Sequence, residues 1–368
     1  MQNNIPISID KHQSSSPGLS PSSTIHLQDE GEKEKLSGAG RVWRKTYHFL
    51  GFQKGYNFPL FVIFAGAMFG FTLARLSYLN IGGSSESSYA NGSVPGEWYW
   101  YRSGHYRIGI TLHLGTILPA GLLMIWQFIP VIRHKLLIFH RINGYIIIVL
   151  VFLSNVGALM ICRRSFGGSL ETQAGVGVLV ILTTTSLCLA YYNIKRLQID
   201  QHRAWMLRAM FYLGTIITMR IIMIISTQVI SKIGSYYTVM SCDEILSMNK
   251  TANAVKEAYP RCANAEAASS NLVAVHANFG ANIEELSASF RMSFGMALWL
   301  ALIMHLVGVE IYLALTPREN TRLRQVSYEK QMEKGFKNPG SAGLTSDRWG
   351  DAEPWSPMNQ SSQAKIRT

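Results

Sequence analysis

Several polar side chains stand inside apolar runs of the sequence. Arg220 lies within 209–231, His305 and Glu310 within 293–316, His113 within 108–132 and Asn155 within 144–161. If those runs are in lipid, a guanidinium so placed costs at least about 2.5 kcal/mol and must face a partner or a ligand. His and Glu can pass protons, and Arg can hold developing negative charge. His305, Glu310 and His113 are therefore candidate catalytic groups, and Arg220 and Asn155 candidate binding groups. Two pairs, His140-Arg141 and His202-Arg203, stand just before apolar runs, and Arg208 follows the second. The planar fork of Arg suits phosphate or another anion, so these five are also candidate binding residues. The plainer reading of the pairs is anchoring among lipid headgroups.

Whether this chemistry operates in a membrane is decided by the elements that carry it. The chain has 368 residues, 48% hydrophobic and 15% charged, well below the roughly 25% charge of a soluble domain. Its apolar residues gather at 58–80, 108–132, 144–161, 175–194, 209–231 and 293–316. Each run is about long enough to cross a ~30 Å hydrocarbon core. Six of them leave too little polar sequence to coat a soluble protein. The expected fold is all-α, a bundle of six transmembrane helices within 57–316.

The formal charge of +12 is distributed as topology requires rather than as a nucleic-acid surface. Loops 133–143 and 195–208 hold seven Lys/Arg in 25 residues, whereas 81–107 and 162–174 hold four in 40. The positive-inside rule then places the first pair of loops and both termini in the cytoplasm. The sequons at Asn91 and Asn249 fall on the opposite side, where they are expected to be glycosylated; a third at Asn359 falls in the cytoplasmic tail. Cys242 and Cys262 share the long lumenal or extracellular loop 232–288, an oxidising side on which a disulfide is expected. Residues 1–56 and 317–368 are polar and read as disordered cytoplasmic regions. The membrane is the endoplasmic reticulum or the plasma membrane, and the bilayer is the first partner.

Depth follows from a rise of about 1.5 Å per residue. Arg220 comes out about 16 Å from the cytoplasmic end of its span. His305 and Asn155 fall near the same level, and Glu310 about a turn closer to the cytoplasm. The expectation is that Arg220 points inward and is compensated by His305, Asn155 or Glu310.

Three segments, "TLHLGTILPAGLLMIWQF" (111–128), "FHRINGY" (139–145) and "HRAWMLRAMFYLGTIITMR" (202–220), resemble a family of multi-pass membrane proteins of unknown function found in bacteria and filamentous fungi. The motifs of that resemblance are His-Arg-x-x-Gly and His-Arg-x-Trp-Met-x-Arg. It implies a membrane fold and, in fungi, a place beside secondary-metabolite genes, but no chemistry. A transporter-like or accessory protein with a polar midplane pocket for a hydrophobic or anionic small molecule is the first reading. A membrane enzyme that cyclises or isomerises a hydrophobic substrate is the second. A b-type haem carrier is the third. It would need two His at one level on facing helices, and His113 lies roughly 12 Å above His305. No cofactor is otherwise expected, and no metal, because no cluster of His, Asp or Glu with ligand spacing occurs.

Overall fold

A computed structural model describes residues 38–52, 57–248, 252–263, 271–280 and 282–357. They fall into two units divided between Lys45 and Thr46. Helix α1 (Gly38–Phe49) begins in the first, and it is helical where 1–56 was expected to lack structure. All the elements that follow belong to the second unit.

The first span is α2 (Asn57–Arg75), followed by two short helices, α3 (Tyr89–Gly92) and α4 (Glu97–Tyr101). Then come α5 (Gly104–Ile125), the short α6 (Pro130–Lys135), α7 (Leu137–Ile161), α8 (Leu170–Lys195) and α9 (Ile199–Ile233). Beyond α9 lie β1 (Tyr237–Ser241), α10 (Cys242–Met248), α11 (Ala252–Ala258), β2 (Leu272–His276) and α12 (Ile283–Ala314). The chain closes with α13 (Pro317–Glu333) and α14 (Ser346–Trp349). Six helices, α2, α5, α7, α8, α9 and α12, are long and apolar enough to cross a membrane. The protein is an all-α polytopic membrane protein.

The helices outrun the apolar blocks. α9 has 35 residues, about 50 Å of helix against a ~30 Å core. It starts at Ile199 rather than near 209, because Asp, Gln and Arg end an apolar run without ending a helix. His202, Arg203 and Arg208 are thus helical, as are His140 and Arg141 in α7. Likewise α12 starts at Ile283, with the Asn282 side chain accepting from the Glu285 N–H (2.9 Å). α9 stops at Gly234, whose φ of 72° closes the helix.

α5 packs along α7, α8 along α9, and α9 along α12, with α2 against α5. Small residues allow the closest approach. A Cβ on Gly157 would lie 2.6 Å from the His113 backbone nitrogen, and one on Gly109 would lie 2.8 Å from the Met160 Cβ. Ala120, Met124, Ile147, Val151, Leu187, Ala209 and Met210 fill the centre. Ile63, Val149, Val156, Ile181, Ile225 and Ile303 face outward, toward lipid.

Loop 232–288 is a small folded cap. β1 and β2 pair antiparallel from Tyr237↔His276 to Ser241↔Leu272. Met240, Ile245, Val255, Val275 and the disulfide Cys242–Cys262 form its core. The cysteine pairing is as expected; the two strands are not in the sequence reading. Asn91 is exposed in α3, and its amide donates to the carbonyls of Gly83, Ser84 and Ser85. Asn249 and Asn359 lie outside the described residues.

The tail is a correction. Residues 317–350 are ordered and dock against the α8–α9 connection through polar groups. Gln198 and Asp200 are fully buried. Gln198 accepts from Gln331 (3.1 Å) and from the Gly343 N–H (3.1 Å), and donates to Asp200 (2.8 Å). Asn193 accepts from the Leu344 N–H (2.8 Å). A segment held by side-chain amides has no apolar run to betray it, which is why composition alone reads it as disordered.

Candidate functional site

Arg220 lies in the bundle, but its counterpart is aromatic. Its guanidinium carbon sits 5.0 Å from the Phe166 ring centre and 5.8 Å from that of Phe294. The two rings stack at 4.0 Å. Among the described residues no carboxylate comes within ion-pair distance of Arg220. Phe166 reaches this place from a tight turn between α7 and α8. Its φ is 48°, and Gly167 and Gly168 follow at 81° and 64°. A Cβ at Gly168 would collide with the Arg163 carbonyl. The strained backbone aims one ring into the bundle.

The expected partners of Arg220 are engaged elsewhere. Glu310 takes both prongs of Arg208, at 2.7 and 3.0 Å. Arg208 stands on the same helix as Arg220, about three turns nearer the Ile199 end, so Glu310 serves a different arginine from the one expected. His305 Nε2 meets the Thr218 hydroxyl at 2.8 Å, beneath Gly214, where a Cβ would lie 3.1 Å from the ring. Asn155 donates to Thr183 (3.1 Å) and Thr184 (3.0 Å). His113 Nδ1 meets the Ser154 hydroxyl at 2.9 Å. His305 and Glu310 bond to separate residues of α9, Thr218 and Arg208, and His113 to Ser154 of α7, so the three acid–base candidates share no partner and do not form one constellation.

Two polar clusters do form, one at each end. At the loop end, Arg291 and Glu244 make a doubly hydrogen-bonded buried pair. Trp100 Nε1 donates to Glu244 (3.0 Å). Glu97, also buried, accepts from the Phe166 N–H (2.9 Å), and burial pushes its pKa up to about 7, with Glu244 acting in the same direction. Gly96 is required here. Its φ is 89°, and a Cβ would lie 2.8 Å from the Arg291 guanidinium and 2.9 Å from Glu244. Sequence reasoning missed Glu97, Glu244 and Arg291. The one available signal was Glu97 opening an aromatic run just before a span start; Glu244, in the long loop, had none.

At the other end, here the basic end, both His-Arg pairs are present at the helix starts. His202 Nδ1 meets the Ala190 carbonyl (2.9 Å). Gln127 donates to the His140 carbonyl (3.2 Å), and the buried His140 Nδ1 has no partner. Arg141 is exposed. Arg203 donates to Thr316 (3.2 Å) and stands 5.8 Å from the Tyr312 ring centre. A cavity of about 170 Å³, lined by Gln201, Arg203, Ala204, Arg208, Leu313 and Asn320, opens here. Beside it Arg322 grips Glu319 with two bonds of 2.8 Å. Burial works against the Glu319 charge, yet Arg322, Arg203 and Arg133 together hold its carboxyl below the usual range.

Residues 110–247 match a family described as predicted membrane protein (DUF2306). That stretch runs from α5 into α10 and contains both His-Arg pairs and Arg220. The chain is also similar to "Ava biosynthesis cluster protein G" of Aspergillus versicolor. The two are 25% identical over 312 residues, 72% of this chain and 90% of the relative. No solved structure matches.

Proposed function

We propose that this protein is a transporter-like or accessory membrane protein of secondary metabolism that handles a small amphiphilic molecule at its basic end. The carrying observation is the cavity, whose lining includes Arg203 and Arg208 together with Leu313 and Ala204. Guanidinium and hydrocarbon in one cavity suit a ligand with an anionic head and an apolar body. The relative named for a biosynthesis cluster supports the metabolic setting. Loop charge supports a cytoplasmic basic end with both termini on that side. The cap, its disulfide and the glycan acceptor Asn91 then face the lumen or exterior.

Deletion of the gene in its host, with metabolite profiling by mass spectrometry, tests this reading. Loss or build-up of one metabolite series, restored by wild type but not by Arg203→Gln, is the expected result. An unchanged profile after deletion overturns it. Endoglycosidase sensitivity lost in Asn91→Gln checks the orientation; a glycan at Asn359 would reverse it.

A further inference from the structure

We infer that the cavity at the basic end takes a singly charged carboxylic acid, whose carboxylate meets Arg203 and whose apolar body lies with Ala204 and Leu313. The inference deepens the proposed function and rests on its reading of that cavity as the working site. The charge of the lining decides the head group. Of the lining residues only Arg203 and Arg208 are cationic, and none is acidic. Arg208 is spent, because its Nε and Nη2 donate to the two Glu310 oxygens at 2.7 and 3.0 Å. Arg203 has no carboxylate within ion-pair distance among the described residues. Its Nη2 donates to the Thr316 hydroxyl (3.2 Å), which donates in turn to the Tyr312 carbonyl (3.0 Å). These contacts orient the guanidinium without cancelling its charge. Glu319, next in sequence to the lining residue Asn320, accepts both bonds of Arg322 at 2.8 Å.

One uncompensated guanidinium calls for one negative charge. A carboxylate supplies it on a planar pair of oxygens, which the fork of an arginine can meet with two parallel bonds. A phosphate monoester carries about 1.5 to 2 negative charges at neutral pH, and its excess finds no second unpaired cation in the lining. An uncharged head would leave the half-buried Arg203 unmatched. Size sets the body. The cavity holds about 170 Å³, close to the roughly 150 Å³ of an apolar cavity that takes one benzene ring. A carboxylate and one ring-sized group therefore fill it, and any longer part of the molecule lies outside. The amides of Gln201 and Asn320, also in the lining, can serve a hydroxyl or carbonyl on that body.

The test uses the full chain purified in a neutral detergent, with three soluble probes that share a benzyl body. They are phenylacetate, its uncharged amide phenylacetamide, and benzyl phosphate. Ligand-observed NMR at neutral pH measures their dissociation constants. Phenylacetate should bind at about 1 mM or tighter, an ordinary range for so small a molecule. Phenylacetamide and benzyl phosphate should each bind roughly tenfold more weakly, a factor typical of one unmatched charge. Arg203→Gln should weaken phenylacetate to the level of the amide. Leu313→Asn should weaken both several-fold and keep the preference for the acid. Lys232→Gln, at the other end of α9, should bind like wild type. Arg203→Lys keeps the charge, loses the fork and should weaken phenylacetate, which serves if Arg203→Gln fails to fold. Tighter binding of benzyl phosphate would assign the site to a dianion and overturn the inference. So would amide binding equal to that of the acid, or equal binding of the acid by wild type and the Arg203 variants. Absence of phenylacetate binding at about ten times the expected concentration would overturn it as well. Selective binding of the acid with an unaltered metabolite profile after gene deletion would leave this site standing and remove the proposed function; the reverse pattern would do the opposite.

Discussion

Arg291 at the loop end and Arg203 at the basic end are both arginines near the end of a long helix, but their surroundings differ. Arg291 is closed in with Glu244, which also receives Trp100. Its neighbours are covered by rings as well. Arg164 lies 3.6 Å from the Trp100 ring centre and Arg107 lies 4.9 Å from that of Trp98. Arg203 instead donates to the Thr316 hydroxyl (3.2 Å), has no carboxylate within ion-pair distance among the described residues, and borders a cavity. A buried charge that is compensated and sealed is architecture; a charge surplus that is open is a place for a ligand. Arg220, between the two ends, belongs with the first kind, since its charge is spent against Phe166 and Phe294.

The contrast can be broken most forcefully at the loop end. Arg291→Leu leaves Glu244 buried without its cation, a change costing about 3–5 kcal/mol. The variant should lose most of its monodisperse yield or unfold far below wild type in detergent. Arg291→Leu with Glu244→Leu should recover over half of that loss. Equal damage in single and double variants would mean that the pair does not act as a unit. The cap comes next. Cys242→Ser opens a loop of 20 residues and should lower stability by about 3 kcal/mol. Unfolding scans with and without reductant check it, and an effect below about 0.5 kcal/mol would show that the cap stands without its bridge.

The pH response of the loop end is smaller and has a fixed sign. Glu97 has a folded pKa raised to about 7 against an ordinary value of 4.5. The stability linked to its neutral form is complete below about 4.5 and is lost as pH rises through 7. Thermal stability should therefore fall between pH 5 and pH 8, and Glu97→Gln should flatten that slope. An unchanged slope in the variant would remove Glu97 from the network as a titrating member.

What the sequence discloses divides along the same line. The spans were legible because apolar length is a local property, and the disulfide because both cysteines share one loop. Arg141, Arg203 and Arg208 were legible as candidates because they sit in short motifs at span starts. The loop-end network was not, since Glu97, Phe166, Glu244 and Arg291 come from four segments and meet only in the folded chain. Phe166 shows the difficulty well. Nothing in "RRSFGGS" announces that a left-handed turn will aim its ring at Arg220. The Arg220 expectation failed for a related reason: a cost argument demands compensation but does not say whether a carboxylate or a π face supplies it.

The smallest effect is the sharpest test of the comparison. Arg203 is half-buried and donates to the Thr316 hydroxyl (3.2 Å) beside the cavity. Arg203→Gln should therefore cost no more than about 1 kcal/mol in detergent, against about 3–5 kcal/mol for Arg291→Leu. If Arg203→Gln melts as far below wild type as Arg291→Leu does, the basic end is held together as the loop end is, and Arg203 is a structural arginine rather than one that faces a ligand.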